Sequence, residues 1–132
     1  MRIDGGCHCG YLKYEGEANP EKAGICHCTD CQMLSGSAFR TIAPADKFRF
    51  TSGNPTVYVK IGDSGNKREQ TFCPRCGSPI YSAAPGSDPR IYNVRVGTMR
   101  QRDQFVPKVQ LWTRSKQRWV HDFTSVRTLD TQ

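Results

Sequence analysis

Cys26-His27-Cys28-Thr29-Asp30-Cys31 places three thiols and an imidazole within six residues, and this stretch limits the fold more than any other. The C-x-C-x-x-C spacing lets one short turn aim three sulfurs at a common point, an arrangement suited to a metal. Zn²⁺ takes thiolates tetrahedrally, so three leave one corner for water or substrate, whereas a catalytic site needs that corner open. The other cysteines form two tight pairs, Cys7-His8-Cys9 and Cys73-Pro74-Arg75-Cys76. A two-plus-two set of this kind closes a structural site, and Cys-Pro-Arg-Cys-Gly is the usual knuckle form, with Pro setting the turn and Gly admitting the amides. The expected partition is therefore Cys7, Cys9, Cys73 and Cys76 around a structural zinc, with Cys26, Cys28 and Cys31 around a second, catalytic one. Spacing alone leaves room for exchanged partners, such as Cys26 joining the knuckle. It also leaves room for a second structural zinc closed by His27 or His8, although a residue flanked by two ligands points away from the metal in extended chain.

Seven cysteines in 132 residues raise the question of a disulfide scaffold. The count is odd, and the opening Met1-Arg2-Ile3-Asp4-Gly5-Gly6 lacks the apolar core of a signal peptide, so disulfides are not expected. There is no apolar run long enough to span a membrane, and the expected address is cytoplasmic. Hydrophobic residues make up 36% of the chain, enough for one modest core that a metal would help to hold together. A single domain over residues 1–132 is expected. The formal charge of +7, from 19 Lys and Arg against 12 Asp and Glu, survives in part even with every thiol ionised around two zincs. Such a surface attracts anions.

Many short alternating stretches separated by turn residues predict a strand-dominated fold. Residues 11–15, 38–42, 48–51, 56–61, 80–84, 90–97 and 109–112 read as strands, with a turn at 44–47 and a strand with one wet face at 90–97. Residues 5–6 read as a turn, and residues 28–34 as one or two helical turns stopped by Ser35-Gly36. Trp112-Thr113-Arg114-Ser115-Lys116-Gln117-Arg118-Trp119 interleaves bases and aromatics, yet the expectation is a solvated turn whose two Trp side chains pack on the core. There is no phosphate loop, nucleophile elbow or acidic pair.

Three motifs in one order, Gly6-Cys7-His8-Cys9-Gly10, Cys26-His27-Cys28-Thr29-Asp30-Cys31-Gln32 and Phe72-Cys73-Pro74-Arg75-Cys76-Gly77-Ser78-Pro79-Ile80, resemble the glutathione-dependent formaldehyde-activating family, also called the centromere-protein-V domain family. The segment from Pro107 to Trp119 is compatible with that family's tail, except that Gln110 stands where a histidine is common. The resemblance implies a mainly β, Mss4-like fold of several coiled antiparallel sheets. It implies one structural zinc on Cys7, Cys9, Cys73 and Cys76 and one catalytic zinc on Cys26, Cys28 and Cys31. The implied activity is that of a carbon–sulfur lyase run in the synthetic direction, joining glutathione to formaldehyde.

On that reading, a thiol is held as thiolate at the open corner, or the aldehyde is polarised there, and the thiolate adds to the carbonyl. Arg40, Arg68 and Arg95 are candidate carboxylate clamps, with plain surface charge as the expectation. The competing reading is a non-catalytic, zinc-stabilised basic β module that binds nucleic acid or a protein partner.

Overall fold

The computed structural model describes residues 1–132. Nine strands hydrogen-bond into one sheet. They are β1 (Arg2–Gly6), β2 (Lys13–Ala18), β3 (Gly24–Cys26), β4 (Arg40–Ser52), β5 (Thr56–Ile61), β6 (Lys67–Phe72), β7 (Pro79–Ala83), β8 (Tyr92–Arg95) and β9 (Val109–Leu111). The order is β1-β2-β4-β8-β7-β6-β5, and β3 lies against both β4 and β9. All pairings are antiparallel except β3 with β9. The fold is mainly β, as expected, and one helix, α1 (Thr29–Ser35), interrupts it.

The strand β4 departs from the expected pair of strands with a turn at residues 44–47. It runs unbroken for 13 residues, because β8 pairs with it through Pro44 and Ala45 while β2 pairs with it from Ala45 to Ser52. The irregularity is absorbed in a bulge, where Lys47 and Phe48 face the single residue Gly16 and Lys47 takes a φ of 47°. A bulge of this kind bends the strand and sharpens its twist. Gly5 and Gly6 likewise lie within β1 instead of turning the chain. Gly5 is needed there because a Cβ would collide with the Thr98 carbonyl and the Tyr14 hydroxyl.

The core gathers Ile3, Leu12, Ile80, Val94, Met99 and Phe105, all fully buried or nearly so. Beside them sits an aromatic group centred on Phe48, whose ring lies 4.9 Å from Tyr14 and 5.0 Å from both Tyr81 and Tyr92. Such contacts add to plain area burial. The expectation for the two tryptophans fails: Trp112 and Trp119 are about half exposed. Trp119 meets Phe123 rather than the core, and Trp112 lies under Arg114 at 4.8 Å. No helix is long and apolar enough to cross a membrane.

Candidate metal centres and the cleft between them and solvent

Local backbone chemistry explains both thiol sets. Between β1 and β2 the chain tightens so that the Leu12 amide donates to Cys7 Sγ at 3.2 Å, with Gly10 in the left-handed region at φ 83°. Between β6 and β7 the Arg75 amide donates to Cys73 Sγ at 3.4 Å, and Gly77 takes φ 77°. The Ser78 hydroxyl reaches Cys76 Sγ at 3.2 Å and also accepts from the His8 amide at 3.0 Å. Ser78 thus ties one knuckle to the other. Its hydrogen bonding holds the Cys76 thiol down at about 5.

The third set is organised by α1. Cys28 is its N-cap, accepting from the Cys31 amide at 3.3 Å, and Gly36 closes it in the left-handed conformation at φ 64°. This is the helix expected from the sequence. Cys26 arrives from β3, where it stands opposite Arg40 of β4.

All seven thiols are free, and their sulfurs gather as Cys7, Cys9, Cys73 and Cys76 in one set and Cys26, Cys28 and Cys31 in another, within 4.8 Å inside each. Cys9 Sγ is 3.5 Å from Cys7 Sγ and 3.8 Å from Cys73 Sγ. A tetrahedral zinc with Zn–S bonds near 2.3 Å has S···S edges of roughly 3.8 Å, and these two edges of the four-sulfur set are close to that length. The three-sulfur set fits as a tripod with one corner not filled by the protein. His27 does not fill it: the ring is fully buried, with Nε2 2.9 Å from Gln110 Oε1 and its edge toward Phe39. Gln110 therefore answers His27. The hydrogen bond from Cys31 holds Cys26 down at about 5 and correspondingly pushes Cys31 up. Even without a metal, this set favours a negative charge.

Cys28 opens into a cleft of about 820 Å³. Lys60, Lys67, Arg68 and Arg114 stand on its walls, and Asp30 and Asp63 are the acidic groups among them. Asp30, in the first turn of α1, pairs with Lys60 of β5, which fixes the helix against the sheet. Gln32 secures the other side, its amide nitrogen donating to the His27 carbonyl at 2.8 Å and the Ser115 carbonyl at 3.0 Å. Sequence reasoning missed the roles of Lys60, Gln32 and Arg114. The alternation of β5, which puts Lys60 and Tyr58 on one face, was the available signal for the first.

Arg40 and Arg95 depart from the expected surface charge, being 5% and 7% exposed. Burial lowers the pKa of both, that of Arg95 to about 9. Arg68 is half-buried on the cleft wall.

The chain is a small, mainly β protein with a four-thiol group and a three-thiol group that could each hold a metal ion, the second of them beside a basic cleft. The comparison is specific. The family model described as glutathione-dependent formaldehyde-activating enzyme matches residues 2–115, and the chain belongs to that family. Among solved structures, the chain is similar to a Rhodobacter sphaeroides protein determined by crystallography. The identity is 25% and the TM-score 0.62, over 81% of this chain and 98% of that one.

Proposed function

We propose that the chain adds a small thiol to a small aldehyde at the Cys26, Cys28 and Cys31 set, with glutathione and formaldehyde as the pair the family implies. One observation carries the reading: three sulfurs converge without a fourth protein donor, and one of them, Cys28, faces a basic cleft. A Zn²⁺ held there supplies the positive charge that keeps an incoming thiol deprotonated near neutral pH. The remaining work falls to the chain. Lys67, Arg68 and Arg114 offer cations to the two carboxylates of a glutathione-like substrate, and the cleft has room for a tripeptide. Three thiolate donors weaken the electrophilic pull of any metal they hold, so bringing thiol and aldehyde together in the cleft contributes as much as activation does.

In the reaction, the sulfur's electron pair forms a C–S bond to the carbonyl carbon. The C=O π pair moves onto oxygen, which takes up the proton that the thiol released. No oxidant or reductant is consumed, and a hydroxymethyl thioether leaves. The test is exchange spectroscopy with ¹³C-formaldehyde and glutathione on zinc-loaded protein. Wild type should accelerate interconversion of free and thiol-bound formaldehyde at least tenfold, Cys28→Ala should not, and Arg114→Ala should raise KM more than it lowers kcat. Equal rates with and without wild-type protein would remove the reading.

The exposed Trp112 stacked beneath Arg114 gives a nucleic-acid-binding module its one supporting observation. Steeply salt-dependent binding to single-stranded DNA, without any exchange activity, would favour it.

A further inference from the structure

The register of the sheet lines up one row of side chains. Tyr58 of β5 stands opposite Gln70 of β6, and Gln70 opposite Ser82 of β7. Ser82 in turn faces Asn93 of β8, and Ile42 of β4 faces Arg95. Residues two apart share a face in a strand, so Arg40, Arg95, Gln70 and Tyr58 all project to the side on which α1 sits. There the two guanidinium groups share one acceptor, and Arg95 Nη1 also donates to the Asn93 carbonyl at 3.3 Å. Gln70 Oε1 takes Arg40 Nη1 and Arg95 Nη2, each at 3.0 Å. Both lone pairs of that oxygen are then used. The Nε of Arg40 and the Nε of Arg95 remain buried without any partner, and neither arginine forms an ion pair with a carboxylate.

Two buried like charges converging on one neutral oxygen is an arrangement that proteins do not keep for stability. A buried charge is ordinarily paired, and an unpaired buried donor is ordinarily satisfied. Cys26 and Cys31 act electrostatically on both guanidinium groups, and Cys28 and Asp30 act on Arg40 as well. A metal held by those sulfurs would take up most of their charge.

The arginines also line a pocket of about 320 Å³. This is the lower end of the size range of ligand sites, too small for a macromolecular partner and suited to a compact molecule. Its walls are largely apolar, formed by Leu34 of α1, Tyr58, Tyr81 and Phe72. Tyr58 is half exposed, so the pocket reaches solvent at that end. A pocket lined by two guanidinium groups and by aromatic rings matches an amphipathic anion: a planar carboxylate head for the guanidinium donors and an apolar body for the rings.

We propose that Arg40 and Arg95, held together by Gln70, form a binding site for a small monocarboxylate with a compact apolar body. The site is separate from the basic cleft at Cys28. It does not depend on thiol–aldehyde chemistry, because its contacts are all to the carboxylate head and the apolar body.

The experiment is titration of zinc-loaded, full-length protein with benzoate, followed through the Nε–Hε signals of Arg40 and Arg95 by NMR, with inorganic phosphate as the comparison anion. Saturable binding that shifts both signals downfield, at least tenfold tighter than phosphate, is expected. Arg95→Gln should weaken it at least tenfold. Leu34→Trp, which fills the pocket while keeping both arginines and Gln70 in the chain, should do the same and keeps the test valid where Arg95→Gln fails to fold. Unmoved Nε–Hε signals at saturating benzoate overturn the proposal. So does equal binding of phosphate and benzoate, or full affinity in Leu34→Trp. Loss of the second zinc from Arg95→Gln, with no benzoate binding to wild type, would show that the pair only balances the thiolates, and would also overturn it.

Discussion

Removing Cys73 should cost this fold far more than removing Cys28, and the difference follows from what each thiol set joins. Cys73 is fully buried and its sulfur sits 3.8 Å from that of Cys9, 64 positions away in the chain. The four-sulfur set therefore pins the β1–β2 hairpin to the β6–β7 hairpin. Structural zinc sites of this donor type contribute about 10–16 kcal/mol of binding free energy that is also folding free energy. Losing one of four sulfurs then removes at least about 3 kcal/mol. A chain of 132 residues has a total stability of roughly 7–20 kcal/mol, so the loss is a large fraction. At roughly 3–5 °C per kcal/mol for this size, Cys73→Ala should lower Tm by about 10 °C or more.

Cys28, by contrast, belongs to a set confined to residues 26–31, and within the protein it serves as the cap of α1. Removing a cap costs about 1 kcal/mol, a Tm change of a few degrees. The assay is thermal unfolding by circular dichroism in a zinc buffer low enough to leave the three-sulfur set unloaded, alongside zinc counts on metal-replete samples. Two zincs are expected in wild type and one, with the fold intact, in Cys28→Ala. If Cys28→Ala melts as low as Cys73→Ala under these conditions, both sets are structural and the reasoning fails.

Three further outcomes are expected. Tyr14 is buried, and that burial pushes its phenol up to about 12 against an ordinary value of 10.0; a raised folded-state pKa means stability fully present below pH 10 and lost as pH rises from 10 to 12. The loss should reach about 2–3 kcal/mol, and denaturant titrations of Tyr14→Phe should lack that component. Gly5→Ala should destabilise by about 2 kcal/mol or more, since the new Cβ meets the Thr98 backbone carbonyl and overpacking of this kind cannot relax through a side chain; chemical denaturation reads it directly. Gly36→Ala, at φ 64° with open space around it, should cost only about 1 kcal/mol, and a cost above twice that would mean that the C-cap of α1 is under tension from the ties of Asp30 to Lys60 and of Gln32 to Ser115.

Local chemistry was legible in the sequence, and burial was not. The helix start at Cys28 and its stop at Gly36 depend on caps within a few residues. β5 follows from the β-branched and aromatic run at residues 56–61, and the sulfurs group as their spacing favoured, although spacing alone left exchanged partners open. The turn expected at residues 44–47 failed because proline and the polar residues after it were read without their neighbours. Pairing with β8 on one side and β2 on the other carries β4 straight through, and one bulge absorbs the misfit. The tryptophans failed for the opposite reason. The tail containing Trp112 and Trp119 is held by polar ties, such as Gln117 to Gln32 at 2.9 Å, and these ask nothing of the indoles.

The most consequential misreading concerns β8. The sequence from residue 90 to 97 alternates as a strand with one wet face, and alternation does imply that one face is polar. Whether that face is wet depends on what lies over it. In the strand order β8 falls between β4 and β7, an interior position, and the chain places the thiol-bearing segment and α1 over the side to which Arg95 points. A cation at such a position survives only with acceptors within reach, and Arg95 has Gln70, the Asn93 carbonyl at 3.3 Å and nearby thiols. Arg40 reaches the same oxygen from β4, opposite Cys26. The positive charge counted in the sequence is therefore not spread evenly over a surface. Part of it is driven into the sheet beside the three-sulfur set, where low dielectric magnifies it, and the negative partner that would complete it must come from the thiols, from a ligand, or from both.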